Sequence, residues 1–257
     1  MPRFFIPGRT RPGRVVVISG KDAGHITRVL RMGEGDALEI TDSTGKDYLA
    51  RIKRGSEEQV ILDVVAEGSS VWREPSVFIT VFQGLPKGDK MDNIVRRNTE
   101  IGVSRFVPVI TERSVSRPDK AVREKRVARW KRIAEEASKQ SGRQRVPDVL
   151  DVMGFDDAIQ LAAGEKSLCA DNDRESLILF PWELEMSEGV GGILRENRGI
   201  QAVMCLIGPE GGFSHAEAEK AVKHGALSCS LGPRILRTET CALVLSSIIL
   251  YEAGEMG

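Results

Sequence analysis

From Pro75 to the end of the chain, short runs of β-branched and apolar residues alternate with longer segments of helical periodicity. Parallel neighbouring strands need a crossover connection, usually a helix, so this alternation predicts a mostly parallel sheet covered on both faces. The predicted strands are SVFITVFQ, RFVPVI, PDVLDV, SLCAD, AVMCLIG and LSCSLG, and the predicted helices span about 90–101, 119–141, 214–224 and 238–253. The fold class is therefore α/β.

The N-terminal part of the chain has a different pattern. Between residues 36 and 65 the β-like runs DALEITD, DYLARIK and QVILDVV are separated by polar turns, which predicts an antiparallel meander. A short helix is predicted at HITRVLR just before it, and Pro75 with its small polar neighbours reads as a linker. We therefore expect two domains, a small β-rich one at 1–72 and an α/β one at 73–257.

Composition narrows the class of protein. The 257 residues are 41% hydrophobic and 29% charged, which is typical of a globular domain in water. The apolar stretch 241–251 is too short for a membrane span, and no secretory signal is recognisable, so we expect a cytoplasmic protein without membrane association. Four separate cysteines and three histidines predict reduced thiols and no metal site.

Charge is unevenly distributed along this neutral chain. Residues 1–31 carry seven basic and one acidic residue, and 113–145 carry twelve basic and four acidic, whereas 146–190 carry eleven acidic and two basic. Separate basic blocks indicate a localised polyanion footprint. We expect Arg3, Arg9, Arg28 and Arg31 to contact RNA phosphates. The Arg-rich helix around Trp130 either contacts RNA as well or covers the sheet with its charges in water.

Two loops after predicted strands are candidates for a ligand site. LIGPEGGFS at 206–214 and LGPRILRTET at 231–240 each place a Gly-Pro turn where, in an α/β sheet, ligands bind. Glycine allows close backbone approach, although each loop alone is also ordinary turn chemistry. Neither a dinucleotide nor a nucleoside triphosphate fingerprint is present. A Ser214 to Glu217 capping box predicts that a helix begins directly after the first loop.

Read together, seven segments carry a family resemblance. They are PRFFIP, HITRVLRMGEGD, KGDKMDNIVRRNTEIGV, VPVITERSV, RWKRIAEEASKQSGR, LIGPEGGFS and LGPRILRTET. The chain resembles the ribosomal RNA small subunit methyltransferase E family, within the SPOUT superfamily of knotted methyltransferases. The resemblance runs in order from residue 2 to about residue 250. Two positions depart from the pattern that is usual in the family. Cys241 stands where a small residue or Thr is more usual, and Asn98 stands where Ser is more usual.

The resemblance implies a PUA-like RNA-binding barrel followed by a parallel sheet with a deep trefoil knot. It implies a homodimer that transfers a methyl group from S-adenosyl-L-methionine to N3 of a single uridine in 16S ribosomal RNA, in the small-subunit decoding region. A less well matched wall of the cofactor site would be Leu168, Cys169 and Ala170. The other implied cofactor contacts are Ile207, Gly208, Pro209, Glu210, Gly211, Gly212, Leu231, Gly232, Ile235, Leu236, Arg237 and Thr240.

Uracil N3 carries a proton that must leave before methylation, so a base or an anion-stabilising cation is required. We expect Arg237 to stabilise the base oxygens, with Glu239 as the first and Glu210 as the second candidate proton acceptor. Glu239 has an alternative role as an acidic residue that stabilises a helix N-terminus. Two alternative functions remain open, a knotted methyltransferase for another RNA and a non-catalytic factor that binds RNA during ribosome assembly.

Overall fold

The computed structural model describes residues 1–68, 71–170, 175–182 and 188–256, with only the backbone of Ala170. The chain divides into two compact units, one comprising Met1–Glu74 with Ser138–Arg145, and the other Pro75–Ala137 with Val146–Gly257. The division at Glu74 lies close to the expected boundary at residue 72. The assignment of 138–145 to the first unit has no visible signal in the sequence.

The first unit is built on a curled β-sheet. Its strands are β1 (Arg3–Phe5), β2 (Val15–Ser19), β3 (Ala37–Thr41), β4 (Asp47–Gly55) and β5 (Gln59–Glu67). The strand order is β1-β3-β4-β5-β2, in which β1 and β3 are parallel and the other pairs antiparallel. The predicted meander is confirmed as β3, β4 and β5.

Alternating side chains of these strands form the core of the first unit. Leu38, Ile40, Ile52 and Leu62 are almost completely buried, as expected when one face of a strand packs inward. Between β2 and β3 lie α1 (Lys21–Gly24) and a π-helical turn at His25–Val29, which confirm the predicted short helix.

The second unit contains the parallel sheet. Its strands are β6 (Phe78–Gly84), β7 (Arg105–Ile110), β8 (Asp148–Val149), β9 (Met153–Gly154), β10 (Ser176–Pro181), β11 (Ala202–Ile207) and β12 (Ala226–Cys229). The strand order is β12-β10-β11-β6-β7-β8, and β9 also pairs with β7. Every strand pair recorded for the described part of this sheet is parallel, so the α/β prediction is confirmed.

Helices cover both faces of this sheet, and two apolar clusters form the core. The helices are α2 (Lys90–Ile101), α3 (Lys120–Ser141), α4 (Phe155–Ala170), α5 (Val190–Glu196), α6 (His215–Lys223) and α7 (Thr238–Glu252). Val81 belongs to the cluster that includes residues of α2, α3, α5 and α7, whereas its neighbour Phe82 belongs to the cluster with α4 and α6. Successive residues of a strand point to opposite faces, which explains the division.

The prediction of a strand at SLCAD is wrong. The described part of this run forms the last turn of α4, and the strand lies further along the chain as β10. Asp156 and Asp157 favour a helix N-terminus at Phe155, and Ala158, Ile159 and Ala162 provide an apolar stripe that continues the helix. A short apolar run fits a strand and the end of a helix equally well, so its periodicity alone misleads.

Candidate active site

A cleft lies beyond the carboxyl ends of β6, β10, β11 and β12. The loops that follow these strands enclose a cavity of about 350 Å³ and an adjoining one of about 130 Å³. The two cavities share five lining residues and form one continuous cleft; these are Pro181, Trp182, Ile235, Leu236 and Cys241. This is the edge where ligands bind in parallel α/β sheets, because the loops that lead out of the strands meet there.

The loop after β11 approaches other backbone segments closely. A Cβ at Gly84 would lie 2.6 Å from the ring of Pro209, and one at Gly208 would lie 3.0 Å from the Cα of Gly212. Gly212 has a φ of 65°, and its amide donates to the Pro209 carbonyl at 2.9 Å. Glycines are required here by backbone packing and by the left-handed turn.

The predicted capping box fixes the end of this loop. The Ser214 hydroxyl accepts from the Glu217 amide, and the Glu217 carboxylate accepts from the Ser214 amide at 2.9 Å. The same carboxylate accepts the amide of Glu112 at 2.8 Å. The loop therefore ends on a helix whose start is held by reciprocal hydrogen bonds.

A buried hydrogen-bond network ties three elements together beneath the cleft. Gln83, at the end of β6, donates through Nε2 to the hydroxyl of Thr238 at 2.8 Å, and that hydroxyl donates to the Gly208 carbonyl at 2.6 Å. Gln83 is completely buried. The network joins the sheet, the first loop and the first residue of α7, and the sequence analysis missed both Gln83 and Thr238.

The loop after β12 supplies the opposite wall. Gly232 has a φ of 100°, Ile235 is 90% exposed, and Arg237 is the N-cap residue of α7. The Arg237 carbonyl accepts the amides of Thr240 and Cys241 at 2.9 and 2.8 Å. Because the helix holds its backbone, the side chain of Arg237 projects from a fixed point at the cleft.

Two carboxylates converge on Lys90, the first residue of α2. Its ammonium lies 2.8 Å from Glu210 and 3.7 Å from Glu239, and the amide of Lys87 donates to Glu210 at 3.1 Å. Burial alone would raise the pKa of Glu210, but the hydrogen bonds from Lys90 and Lys87 lower it below its ordinary value. The same hydrogen bond between Lys90 and Glu210 raises the pKa of Lys90. At neutral pH these two groups are therefore a carboxylate and an ammonium.

Aromatic residues form the wall beside β10. Trp182 packs edge-on against Phe180, with ring centroids 5.3 Å apart, and Phe213 contacts both Phe180 and Phe155. The sequence analysis missed Pro181 and Trp182 because it assigned the strand of this region to SLCAD. A Pro-Trp pair directly after an apolar strand is the signal that would have identified them.

Cys241 also lines the cleft. Burial raises the pKa of its thiol to about 12. The thiolate is the nucleophilic form of cysteine, so this side chain stays a neutral thiol at physiological pH.

The structure brings together most of the residues expected to contact a cofactor. The expected residues that line the cleft are Ile207, Gly208, Pro209, Glu210, Gly212, Leu231, Gly232, Ile235, Leu236 and Arg237. Gly211 lies in the same loop but faces Arg113, which donates to its carbonyl at 3.0 Å. Thr240 and Glu239 lie in the first turn of α7 and are not among the residues that line the described cleft. The carboxylate of Glu239 lies 3.7 Å from the ammonium of Lys90.

The expected third wall is not at the cleft. Leu168 and Cys169 lie at the end of α4, where they border a separate cavity with Phe78, Arg105 and Ala202. Those three residues lie at the amino ends of β6, β7 and β11, on the opposite edge of the sheet. The side chain of Ala170 lies outside the described residues. The misplacement follows from the wrong strand assignment.

Of the four arginines expected to bind RNA, Arg3 occupies a structural position. Its guanidinium is buried, lies 3.1 Å from Glu39 and 3.2 Å from Asp47, and donates to the carbonyls of Gly142 and Arg143. It is therefore saturated by contacts within its own unit. The sequence could not distinguish this buried cation from a surface cation.

The other three arginines are exposed. Arg28 pairs with Glu57 at 3.5 Å while both side chains remain more than 60% exposed, and Arg9 is also exposed. Arg31 has a φ of 53°, which is rare for a residue other than glycine and places it in the left-handed region. Val29 and Leu30 between Arg28 and Arg31 are exposed as well. Cations and apolar side chains thus share one exposed turn.

Trp130 is a core residue of the second unit. It is 3% exposed, and its indole nitrogen donates to Asp92 at 3.1 Å. Arg126 donates to Ser116 at 2.8 Å, while Lys125 and Lys131 are exposed. The apolar side of α3 therefore covers the sheet and its charged side faces water.

Within the described ranges, no cluster of histidine, cysteine and carboxylate side chains has the arrangement of a metal site. The same ranges contain no helix that combines the length and the apolar character needed to span a bilayer.

Comparison with known proteins gives this architecture a family. Residues 73–250 match the model of the RNA methyltransferase domain, and 18–65 match that of the RNA methyltransferase PUA domain. The Bacillus subtilis ribosomal RNA small subunit methyltransferase E is 33% identical over 98% of this chain and 97% of its own length. The Aquifex aeolicus protein of the same name is 30% identical over 93% and 96%.

A solved structure extends the similarity to three dimensions. The Neisseria gonorrhoeae ribosomal RNA small subunit methyltransferase E, crystallised with S-adenosyl methionine, has a TM-score of 0.82 and 29% identity, with 98% of this chain and 97% of that chain covered. Sequence and structure agree along nearly the whole length of the protein. The chain belongs to the ribosomal RNA small subunit methyltransferase E family of RNA methyltransferases.

Proposed function

We propose that this protein transfers a methyl group from S-adenosyl-L-methionine to N3 of uracil 1498 in 16S ribosomal RNA. The observation that carries the proposal is the single cleft formed by two Gly-Pro loops at the carboxyl edge of the parallel sheet. Family membership and the relatives named as small-subunit ribosomal RNA methyltransferases support the RNA class.

The cleft fits this cofactor in shape and chemistry. Pro181, Trp182 and Leu236 offer apolar surface for a flat base. Because the glycines that line the cleft in the loop of Gly208 carry no side chain, a ligand can approach their backbone closely. The carboxylate of Glu210 lines the same cavity and complements a cationic ligand. The bound cofactor supplies a methyl group made electrophilic by a sulfonium.

The protein's own residues would prepare the acceptor. Arg237 lines the cleft from the start of α7, where its guanidinium can stabilise negative charge on the uracil oxygens as N3 loses its proton. Stabilising the anion lowers the pKa of the N3 proton, so a weak base suffices. Methyl transfer also needs an in-line approach, which rigid loops favour.

Glu210 and Glu239 are the candidate proton acceptors. Glu210 lines the cleft, whereas Glu239 faces Lys90 and has one buried carboxylate oxygen without a hydrogen-bond partner among the described residues. The position of Glu210 favours it as the acceptor. Its lowered pKa makes it a weaker base than an ordinary glutamate, so the proposed deprotonation also relies on the Arg237 cation.

The first unit would bind the RNA. Arg9, Arg28 and Arg31 are exposed cations on a unit that matches a methyltransferase PUA domain, and such cations fix an RNA backbone through its phosphates. Arg3 would contribute to RNA binding only indirectly, because its contacts stabilise the fold of this unit. The trefoil knot, the homodimer and the cytoplasmic location complete the proposal, as expected for the family.

Cofactor binding can be tested with two glycine variants. Gly212→Ala places a side chain at a φ of 65° in the cleft, whereas Gly164→Ala, the matched control, adds a methyl group in open space on α4. Calorimetry with S-adenosylmethionine is expected to give binding for the wild type and the control, and at least about tenfold weaker binding for Gly212→Ala. Wild-type protein that fails to bind would reject the enzyme in favour of a non-catalytic assembly factor.

A further inference from the structure

The position of Lys90 is not explained by the stability of its own helix. It is the first residue of α2, where the positive end of the helix dipole disfavours a cation. The N-cap residue Asp89 makes no side-chain capping hydrogen bond that would compensate. The reason for a lysine here must therefore lie in what its ammonium contacts.

Those contacts come from two other elements. Glu210 belongs to the loop after β11, and Glu239 to the first turn of α7. The ammonium of Lys90 lies 2.8 and 3.7 Å from their carboxylates, with its side chain 35% exposed at the cleft. One cation thus links α2 with both segments that form the cofactor walls.

We propose that Lys90 is a positioning residue, which fixes the Glu210 carboxylate at the cofactor cleft and joins the loop after β11 to the first turn of α7. This inference rests on the proposed function, because it takes the cleft to be the S-adenosylmethionine site. S-adenosylmethionine carries a carboxylate as well as an ammonium and a sulfonium, and a fixed Glu210 carboxylate attracts the two cationic groups more strongly than a mobile one.

The proposal sets the direction of a pH effect. The hydrogen bond from Lys90 lowers the pKa of Glu210. Loss of Lys90 removes this hydrogen bond, and the pKa of Glu210 therefore rises. The ionised form exists above the pKa and is lost as pH falls through it, so the variant loses cofactor affinity at a higher pH than the wild type. Among the described residues, the charges of Glu239 and Arg237 also act on Lys90, the Lys87 amide donates to Glu210, and Arg113 donates to the carbonyl of Gly211 in the same loop.

The test measures the Kd of S-adenosylmethionine by calorimetry from about pH 5 to about pH 8, which covers the acid side of a carboxylate titration. Lys90→Met is expected to weaken binding about tenfold at neutral pH and further on the acid side. Lys90→Arg should recover most of the affinity, since it keeps the cation. Lys223→Met, an exposed lysine of α6, serves as the charge-matched control and should bind like the wild type.

A double-mutant cycle separates positioning from general damage. In a Glu210→Gln background, adding Lys90→Met should cost less affinity than it does in the wild type, because the nearer carboxylate partner of Lys90 is already neutral and only the more distant Glu239 remains. A wild-type Kd and pH profile in Lys90→Met, or an equal loss in both backgrounds, would overturn the inference alone. Failure of the wild type to bind would overturn the proposed function and this inference with it.

Discussion

A buried ion pair in the first unit and a charged cluster at the cleft of the second unit have opposite characters. In the first unit, Arg143 and Glu74 form an ion pair with both side chains no more than 6% exposed, and the amides of Gln144 and Arg145 also donate to Glu74. At the cleft of the second unit, Lys90, Glu210 and Glu239 keep 22–35% of their side-chain surface exposed. A saturated buried charge stabilises a fold, whereas a partly exposed one remains available to a ligand.

The comparison is tested most strongly at Arg143. Arg143→Met leaves the buried Glu74 carboxylate without its cation, and an uncompensated buried charge costs about 3–5 kcal/mol. Urea unfolding should show this loss directly. The double variant Arg143→Met/Glu74→Met removes both charges and is expected to recover part of the stability. If Arg143→Met were as stable as the wild type, the pair would not be structural.

Gln83 combines features of the buried ion pair and of the cleft cluster, because it is a completely buried polar residue whose hydrogen bond to Thr238 helps to organise the cleft. Gln83→Leu keeps the volume but removes the donor to Thr238, at an expected cost of about 1–3 kcal/mol in stability. We also expect a higher Kd for S-adenosylmethionine, because β6 is no longer joined to the first residue of α7 through this amide. Calorimetry and urea unfolding on one preparation measure both effects. An unchanged Kd would show that Gln83 contributes to stability and has no role in cofactor binding.

The smallest stability change is expected for the exposed arginines. Arg28→Ala with Arg31→Ala should alter unfolding free energy by no more than about 0.5 kcal/mol, as is usual at surfaces. The same variant should weaken RNA binding and reduce the magnitude of the slope of log K against log salt concentration by about 1.4, at about 0.7 per phosphate contact for single-stranded RNA. Filter binding over a salt series measures this slope. Unchanged affinity and slope would place the RNA footprint elsewhere.

Local sequence signals predicted much of the fold. The β-rich and α/β parts, the limits of α2, the capping box before α6 and the two Gly-Pro loops all follow from turn chemistry and periodicity, which depend on near neighbours. The end of α4 did not, because SLCA suits either a strand or a helix. That one error accompanies the expectation of a third wall at Leu168, which lies on the opposite edge of the sheet from the cleft that Trp182 lines.

The charged residues were harder to assign from sequence. Arg3 and Arg28 belong to the same basic block, yet one is buried among carboxylates and the other is exposed. Lys90 and Glu210 are 120 residues apart, so their ion pair is a product of the tertiary fold. Whether a charge is saturated depends on distant partners, which composition and spacing do not specify.

The most direct test combines folding and chemistry in Arg237→Ala. Arg237 lines the cleft without an ion pair among the described contacts, so the variant should unfold like the wild type. Single-turnover methylation of isolated small ribosomal subunits, followed by nucleoside mass analysis, should give N3-methyluridine with the wild type and a rate at least about 100-fold lower with the variant. A near-normal rate in Arg237→Ala, or a methyl group on another atom, would contradict the proposed chemistry.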